Sequence, residues 1–154
     1  MTDQPNRILC ACIGNSDRSP FMRGLLELLL KNQGTHDIVI ESAGVGESSK
    51  QHKPAPTPSQ VLAPTYGIDL SSHRTRHVGE VDLSSFDLFI AADKHVQTEL
   101  RELGVIGEII CLELEGAANA WQAENPAKVE RMIHTIYQAL LREVISYKFR
   151  VHAQ

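Results

Sequence analysis

The chain has 154 residues, 42% of them hydrophobic and 22% charged, with a formal net charge of −4. That is the size of one domain with its own core, spanning 1–154, and the acidic balance excludes a field that collects nucleic acid. The most apolar stretch, Leu25 to Leu30, is interrupted by Glu27 and falls far short of the roughly 18 apolar residues of a membrane span.

Cys10, Cys12 and Cys111 cannot all pair among themselves, and the opening MTDQPNRILC has neither the charged start nor the apolar run of a secretory signal. A soluble protein of the reducing cytoplasm is expected. In chain order, residues 7–12 read as a short buried strand. Ser19 then stands at an N-cap and Pro20 at the first helical position, opening a helix over 20–31 whose leucines cover most of its circumference. Gly34 ends it, and 38–40 is a second strand. The run GESSKQHKPAPTP has too many prolines for regular structure and reads as an exposed, mobile loop. A helix over 57–66 is kinked or ended by Pro64. GIDLSSHRTRHV is a polar connector, with Arg74 and Arg76 exposed. A third strand follows over 88–92, a helix over 94–103, a fourth strand over 109–112 and a closing helix over 127–147. Strands alternating with helices predict a single-domain α/β three-layer sandwich, a four-stranded parallel sheet with helices on both faces.

The segment CIGNSDRSP, 12–20, joins the first strand to the first helix. Ligands of an open parallel sheet bind beyond the carboxyl ends of its strands, where a helix start offers unpaired N–H groups and a positive dipole end. Gly14 allows a tight turn, Asn15 suits either the bracing of an unusual turn or a left-handed conformation, and Arg18 presents a planar fork to two oxygens of one tetrahedral anion. Cys12 at the base of this turn would have its thiolate stabilised by the N–H groups, by Arg18 and by the Ser19 hydroxyl. The expected ligand is a phosphoryl group held against a nucleophilic sulfur, by the loop residues Ile13, Gly14, Asn15, Ser16, Asp17 and Arg18.

Cys12, five intervening residues, then Arg18, Ser19 and Pro20 resemble the active-site loop of the low-molecular-weight protein tyrosine phosphatases. ESAG at 41–44, GIDLSSHRTRHV at 67–78 and FDLFIAAD at 86–93 are similar to that family's segments, in its order. The resemblance implies a phosphocysteine intermediate with no metal and no cofactor. It implies Cys12 as nucleophile, Arg18 as phosphate ligand, Ser19 as the hydroxyl assisting the departing thiolate, Asn15, Ser42 and His73 as braces of the loop, and Asp93 as a neighbour of the site. The implied partners are a phosphorylated protein or a small phosphomonoester, met by a monomer or weak homodimer.

The sequence departs from the family pattern at several places. The family's general acid is an aspartate before a proline, where this chain has Asn125 and Pro126; an amide donates no proton to a leaving oxygen, and Glu124 is the candidate replacement. The aromatic walls around a phosphotyrosine ring are thin, with Trp121 as the residue available to fill one or to pack beneath the closing helix. Ser16 leaves a nonaromatic substrate such as phosphoarginine open. Asp17 stands where relatives carry a second cysteine and is expected to point outward. Cys10 and Cys12 share a strand face without geometry for a disulfide, and Cys10 and Cys111 are read as core packing. Lys50, His52 and Lys53 read as solvated surface, and His73 with His77, four apart, form no complete metal set. The leading function is a cysteine-dependent phosphatase. The alternatives are a phosphate- or phosphoprotein-binding module that lost its proton donor, a phosphoarginine phosphatase and an arsenate reductase-like enzyme.

Overall fold

The computed structural model describes residues 5–114 and 125–149. Four strands, β1 (Arg7–Cys12), β2 (Val39–Gly44), β3 (Leu88–Ala91) and β4 (Glu108–Cys111), form one sheet in the order β2-β1-β3-β4. All three pairings are parallel, with Cys10 opposite Ser42 on one side and Ile90 on the other. The helices are α1 (Arg18–Asn32), α2 (Thr57–Leu62), α3 (Lys94–Glu102) and α4 (Pro126–Leu140).

The two-residue period of β1 divides the core. Ile8, Cys10 and Cys12 face a cluster with Phe21, Met22, Leu25 and Leu26 of α1 and Val129, Met132 and Ile133 of α4. Leu9 and Ala11 face the opposite cluster, with Phe89 of β3 and Val96 and Leu100 of α3. Each fully buried large side chain contributes about 2 kcal/mol of transfer free energy. The expected parallel sheet with helices on both faces is the observed one. Because β1 lies inside the sheet with β2 on one side and β3 on the other, the chain reverses direction across the sheet at β1. A crevice opens at the carboxyl end of such a strand, and Cys12 is its last residue.

Several boundaries differ from expectation. Helix α1 begins at Arg18, its N-cap is Asp17 rather than Ser19, and Pro20 is its third residue. The Asp17 carbonyl accepts the first helical hydrogen bond, from Phe21 N at 3.1 Å. Proline remains tolerable at the third position because that N–H has no partner within the helix anyway. Strand β2 extends to Gly44, since its polar end residues pair with β1 as well as the apolar ones do. The proline-rich run is ordered in part: Glu47–Gln51 forms a short 3₁₀ turn, and buried Ser49 donates to the carbonyls of Gly44 and Gly46. After α2 the chain tightens to a 3₁₀ turn at Ala63–Tyr66, around Pro64. The closing helix leaves regular α geometry at Leu141 and continues in wider π turns to Phe149, where the Ser146 hydroxyl bonds to the carbonyls of Leu141 and Arg142. Cys111 is half-buried rather than a core residue.

Candidate active site

Cys12 is 1% exposed, and its sulfur is the centre of the loop that joins β1 to α1. The Asn15 N–H points at Sγ from 3.2 Å, and Ser19 Oγ lies 3.0 Å away. Ser19 Oγ already accepts from Asn15 Nδ2 at 2.8 Å, so the hydroxyl proton is available to the sulfur. Both contacts set a hydrogen-bond donor against the sulfur. The amides of Gly14, Ser16 and Asp17 form no hydrogen bond among the described residues, and those of Arg18 and Ser19 belong to the first turn of α1, where no intrahelical acceptor exists. The loop thus presents a group of unspent N–H donors beside the sulfur.

Asn15 holds the turn together. It is fully buried with φ +56°, a left-handed conformation that asparagine adopts more readily than most residues. Its Nδ2 also donates to Ser42 Oγ at 3.0 Å, its Oδ1 accepts from Arg76 N at 2.8 Å, and its carbonyl accepts from His73 Nε2 at 2.7 Å. A carbonyl only accepts, so His73 carries its proton on Nε2. Burial, with the Arg23 and Arg76 charges nearby, pushes the His73 imidazole below its ordinary value and favours the neutral ring, while its bond to the Asn15 carbonyl acts the other way. Gly44, ending β2, is required by close approach: a Cβ there would stand 2.6 Å from the Ile13 carbonyl oxygen and 2.6 Å from the Ser49 Cβ.

Arg18 is 6% exposed and donates through Nη1 to Asp93 Oδ2 at 3.0 Å. Asp93 caps α3, its Oδ1 accepting from Val96 N at 2.9 Å, so the carboxylate is fixed from both sides. Arg18 Nε is buried and has no hydrogen-bond partner. A buried N–H of a guanidinium without an acceptor costs on the order of 1–3 kcal/mol, which a tetrahedral oxyanion above the loop would recover.

Two expectations are corrected here. Asp17 does not point outward: it is fully buried, and its Oδ1 accepts from the Ser59 hydroxyl of α2. Burial pushes its carboxyl up to about 6, against the opposing effects of Ser59 and Arg18. The segment 67–78 is not a solvated connector, for although Arg74 is exposed, Arg76 is half-buried and donates to Glu41 at 2.8 Å and to the Ser42 carbonyl at 3.1 Å. His77 caps a 3₁₀ turn by accepting from Gly79 N.

The structure gathers Cys12, Asn15, Ser19, Ser42 and His73 in one hydrogen-bonded network and pairs Arg18 with Asp93 separately, with Ile13, Gly14 and Ser16 on the same loop. Arg76 on Asn15, Ser59 on Asp17 and Ser49 on the Gly44 and Gly46 carbonyls support the loop unforeseen, because nothing local to a serine or an arginine says which distant loop it meets. Asn125, at the place of the expected acid, is the N-cap of α4, its Oδ1 accepting from Ala127 N at 2.8 Å. Glu124 and Trp121 lie outside the described residues. Lys50 and His52 are exposed and pair with Glu47 and Glu80.

A cysteine set in an anion-binding turn at the switch point of a parallel sheet defines a class of nucleophilic, oxyanion-holding proteins. Residues 7–147 match the family model for low molecular weight phosphotyrosine protein phosphatase, and the chain belongs to that family. It is 33% identical over 94 residues to a probable low molecular weight protein-tyrosine-phosphatase, EpsP, of Ralstonia nicotianae, an alignment covering 61% of this chain and 60% of that protein. The alignments to four curated relatives span 58% to 64% of their lengths. Among solved structures, YfkJ of Bacillus subtilis is 26% identical with a TM-score of 0.70, covering 93% of this chain and 96% of that one. Primo-1 shares the fold with a TM-score of 0.78 at 20% identity, covering 92% and 97%.

Proposed function

We propose that this protein is a cysteine-dependent phosphomonoester hydrolase acting on protein phosphotyrosine, with the 13–18 turn as its phosphate-binding loop. The observation that carries the reading is the Cys12 sulfur, 3.2 Å from the Asn15 N–H and 3.0 Å from the Ser19 hydroxyl, beside a buried Arg18 Nε that lacks an acceptor. Cys12 attacks phosphorus, forming an S–P bond as the ester P–O bond breaks, and the loop amides with Arg18 hold the equatorial oxygens as charge develops. The departing oxygen takes a proton. Water then cleaves the S–P bond, releasing phosphate, and the Ser19 hydroxyl stabilises the returning thiolate. Asn125 supplies no proton, so the acid role goes to Glu124. Ile13, 39% exposed next to the nucleophile, offers an apolar contact to the aryl group.

The working compartment is the cytoplasm, and the partners are phosphorylated proteins met by a monomer or weak homodimer, with neither nucleic acid nor membrane engaged. None of the three cysteines is in a disulfide, no helix among the described residues is long and apolar enough to cross a membrane, and the net charge of −4 opposes nucleic acid.

The test is steady-state hydrolysis of an aryl phosphate, with rapid-quench trapping of the phosphorylated enzyme. Cys12→Ser should lose turnover by several orders of magnitude together with the trapped intermediate, and Glu124→Gln should lose roughly 10²-fold in kcat. Undiminished turnover by Cys12→Ser defeats the mechanism; undiminished turnover by Glu124→Gln removes only the acid. The capping role of Asn125 favours one second reading, a phosphoprotein-binding module without turnover, which tight phosphate binding without hydrolysis would establish.

A further inference from the structure

Two buried, complementary polar atoms on adjacent residues remain unpartnered: Asp17 Oδ2, an acceptor, and Arg18 Nε, a donor. Both residues open α1. Aspartate is among the best N-cap residues because its carboxylate folds back onto the free amides of the first turn, yet Asp17 occupies the N-cap and makes no side-chain cap hydrogen bond. With Pro20 at the third position, the amides left for such a cap are among those the anion cradle also needs.

What keeps the carboxylate away is visible in the packing. Ser59, fully buried on α2, donates to Asp17 Oδ1 across 42 residues of sequence. On the other side Asp93 holds Arg18 by Nη1. Each of the two neighbours is thus anchored to a different distant residue, and the cost is a buried carboxylate with one oxygen unbonded. That cost is also seen in the carboxyl itself, which burial pushes up to about 6. Among the described residues the charged group acting on it is Arg18; the 57–62 segment that supplies Ser59 has no titratable side chain.

We propose that Ser59 is a positioning residue of the anion cradle: its hydroxyl holds the Asp17 carboxylate on α2, so that Arg18 Nε and the first amides of α1 stay open to the phosphoryl group. Without that bond, the carboxylate turns to the nearest free donors, which are the cradle itself, and competes with substrate as an internal anion. Binding then weakens while the chemistry of the bound complex is preserved, because the competing carboxylate has already been displaced in that complex. The inference rests on the phosphatase reading.

The experiment measures KM and kcat for an aryl phosphate, and the inhibition constant and calorimetric affinity of inorganic phosphate, at pH 7.5, where Asp17 is ionised. Ser59→Ala should raise KM and the phosphate inhibition constant together by roughly tenfold, with kcat changed far less. Ser59→Thr, which keeps the hydroxyl, should retain the parent values, and adding Asp17→Asn to Ser59→Ala should restore phosphate affinity. Should Ser59→Ala not fold, Ser59→Thr against Ser59→Val, equal in shape, carries the same comparison. A phosphate constant unchanged on loss of the hydroxyl, or a loss that Asp17→Asn does not reverse, overturns the inference and leaves the phosphatase reading intact. A parent protein that neither hydrolyses the ester nor binds phosphate overturns both.

Discussion

The turn after β1 and the turn before α4 both begin a helix, and they are built by opposite means. At α4 the cap is local: Asn125 satisfies the amide of Ala127 two residues on. At α1 the N-cap side chain is drawn away to Ser59, and the turn is held from behind by Ser42, His73 and Arg76, 27 to 61 residues distant from Asn15. A helix start that caps itself has few donors to offer a ligand. One that is braced by remote residues keeps its donors free, and the penalty is a set of buried polar groups that only the folded chain can satisfy.

Removing the brace should therefore cost most. Asn15→Ala leaves Ser42, Ser19 and the Arg76 amide without their partner and puts alanine at φ +56°. The expected loss is about 3 kcal/mol of stability in chemical denaturation, with a fall in kcat/KM of at least tenfold. A variant as stable as the parent would mean that the remote bonds are redundant.

A smaller effect concerns Asp17 alone. Its folded carboxyl is pushed up to about 6 from an ordinary value of 3.8, so between those two values the folded state binds more proton than the unfolded one. Stability attributable to this group falls as pH rises through that window, and the deficit persists above it. Asp17→Asn should therefore gain on the order of 2 kcal/mol at pH 7.5 and nothing near pH 4. A pH-independent change would show that the charge is not what the burial penalises.

Smallest in stability, though informative about catalysis, is Asn125→Asp. Both residues cap helices equally well, so the melting profile should stay within about 0.5 kcal/mol. If the new carboxyl reaches the leaving oxygen, kcat should rise roughly tenfold, most for poor leaving groups. That outcome would turn a purely local cap into part of the site.

The layered sheet, the strand-turn-helix placement of Cys12 and the four strands were legible in the sequence because apolar periodicity and helix signals are local. Cys12, Arg18 and Ser19 were legible for the same reason, being spaced within one turn. The family resemblance extended that reach to Ser42, His73 and Asp93, which no local pattern marks. Local rules also misled: Ser19 beside Pro20 has the chemistry of an N-cap and its successor, yet the helix starts two residues earlier, with Asp17 as its N-cap, and Ser19 is used on the sulfur and on Asn15.

What the sequence by itself determined is therefore an α/β chain with a thiol, an arginine and free amides converging on one turn. Tertiary structure alone decided that Asp17 faces inward to Ser59, that the Arg76 amide braces Asn15 while its half-buried side chain meets Glu41, and that Asp93 fixes Arg18. Each of these choices depends on which buried donor finds which acceptor across the fold. An unsatisfied polar group costs more than most local preferences are worth, so packing and not propensity settles the matter.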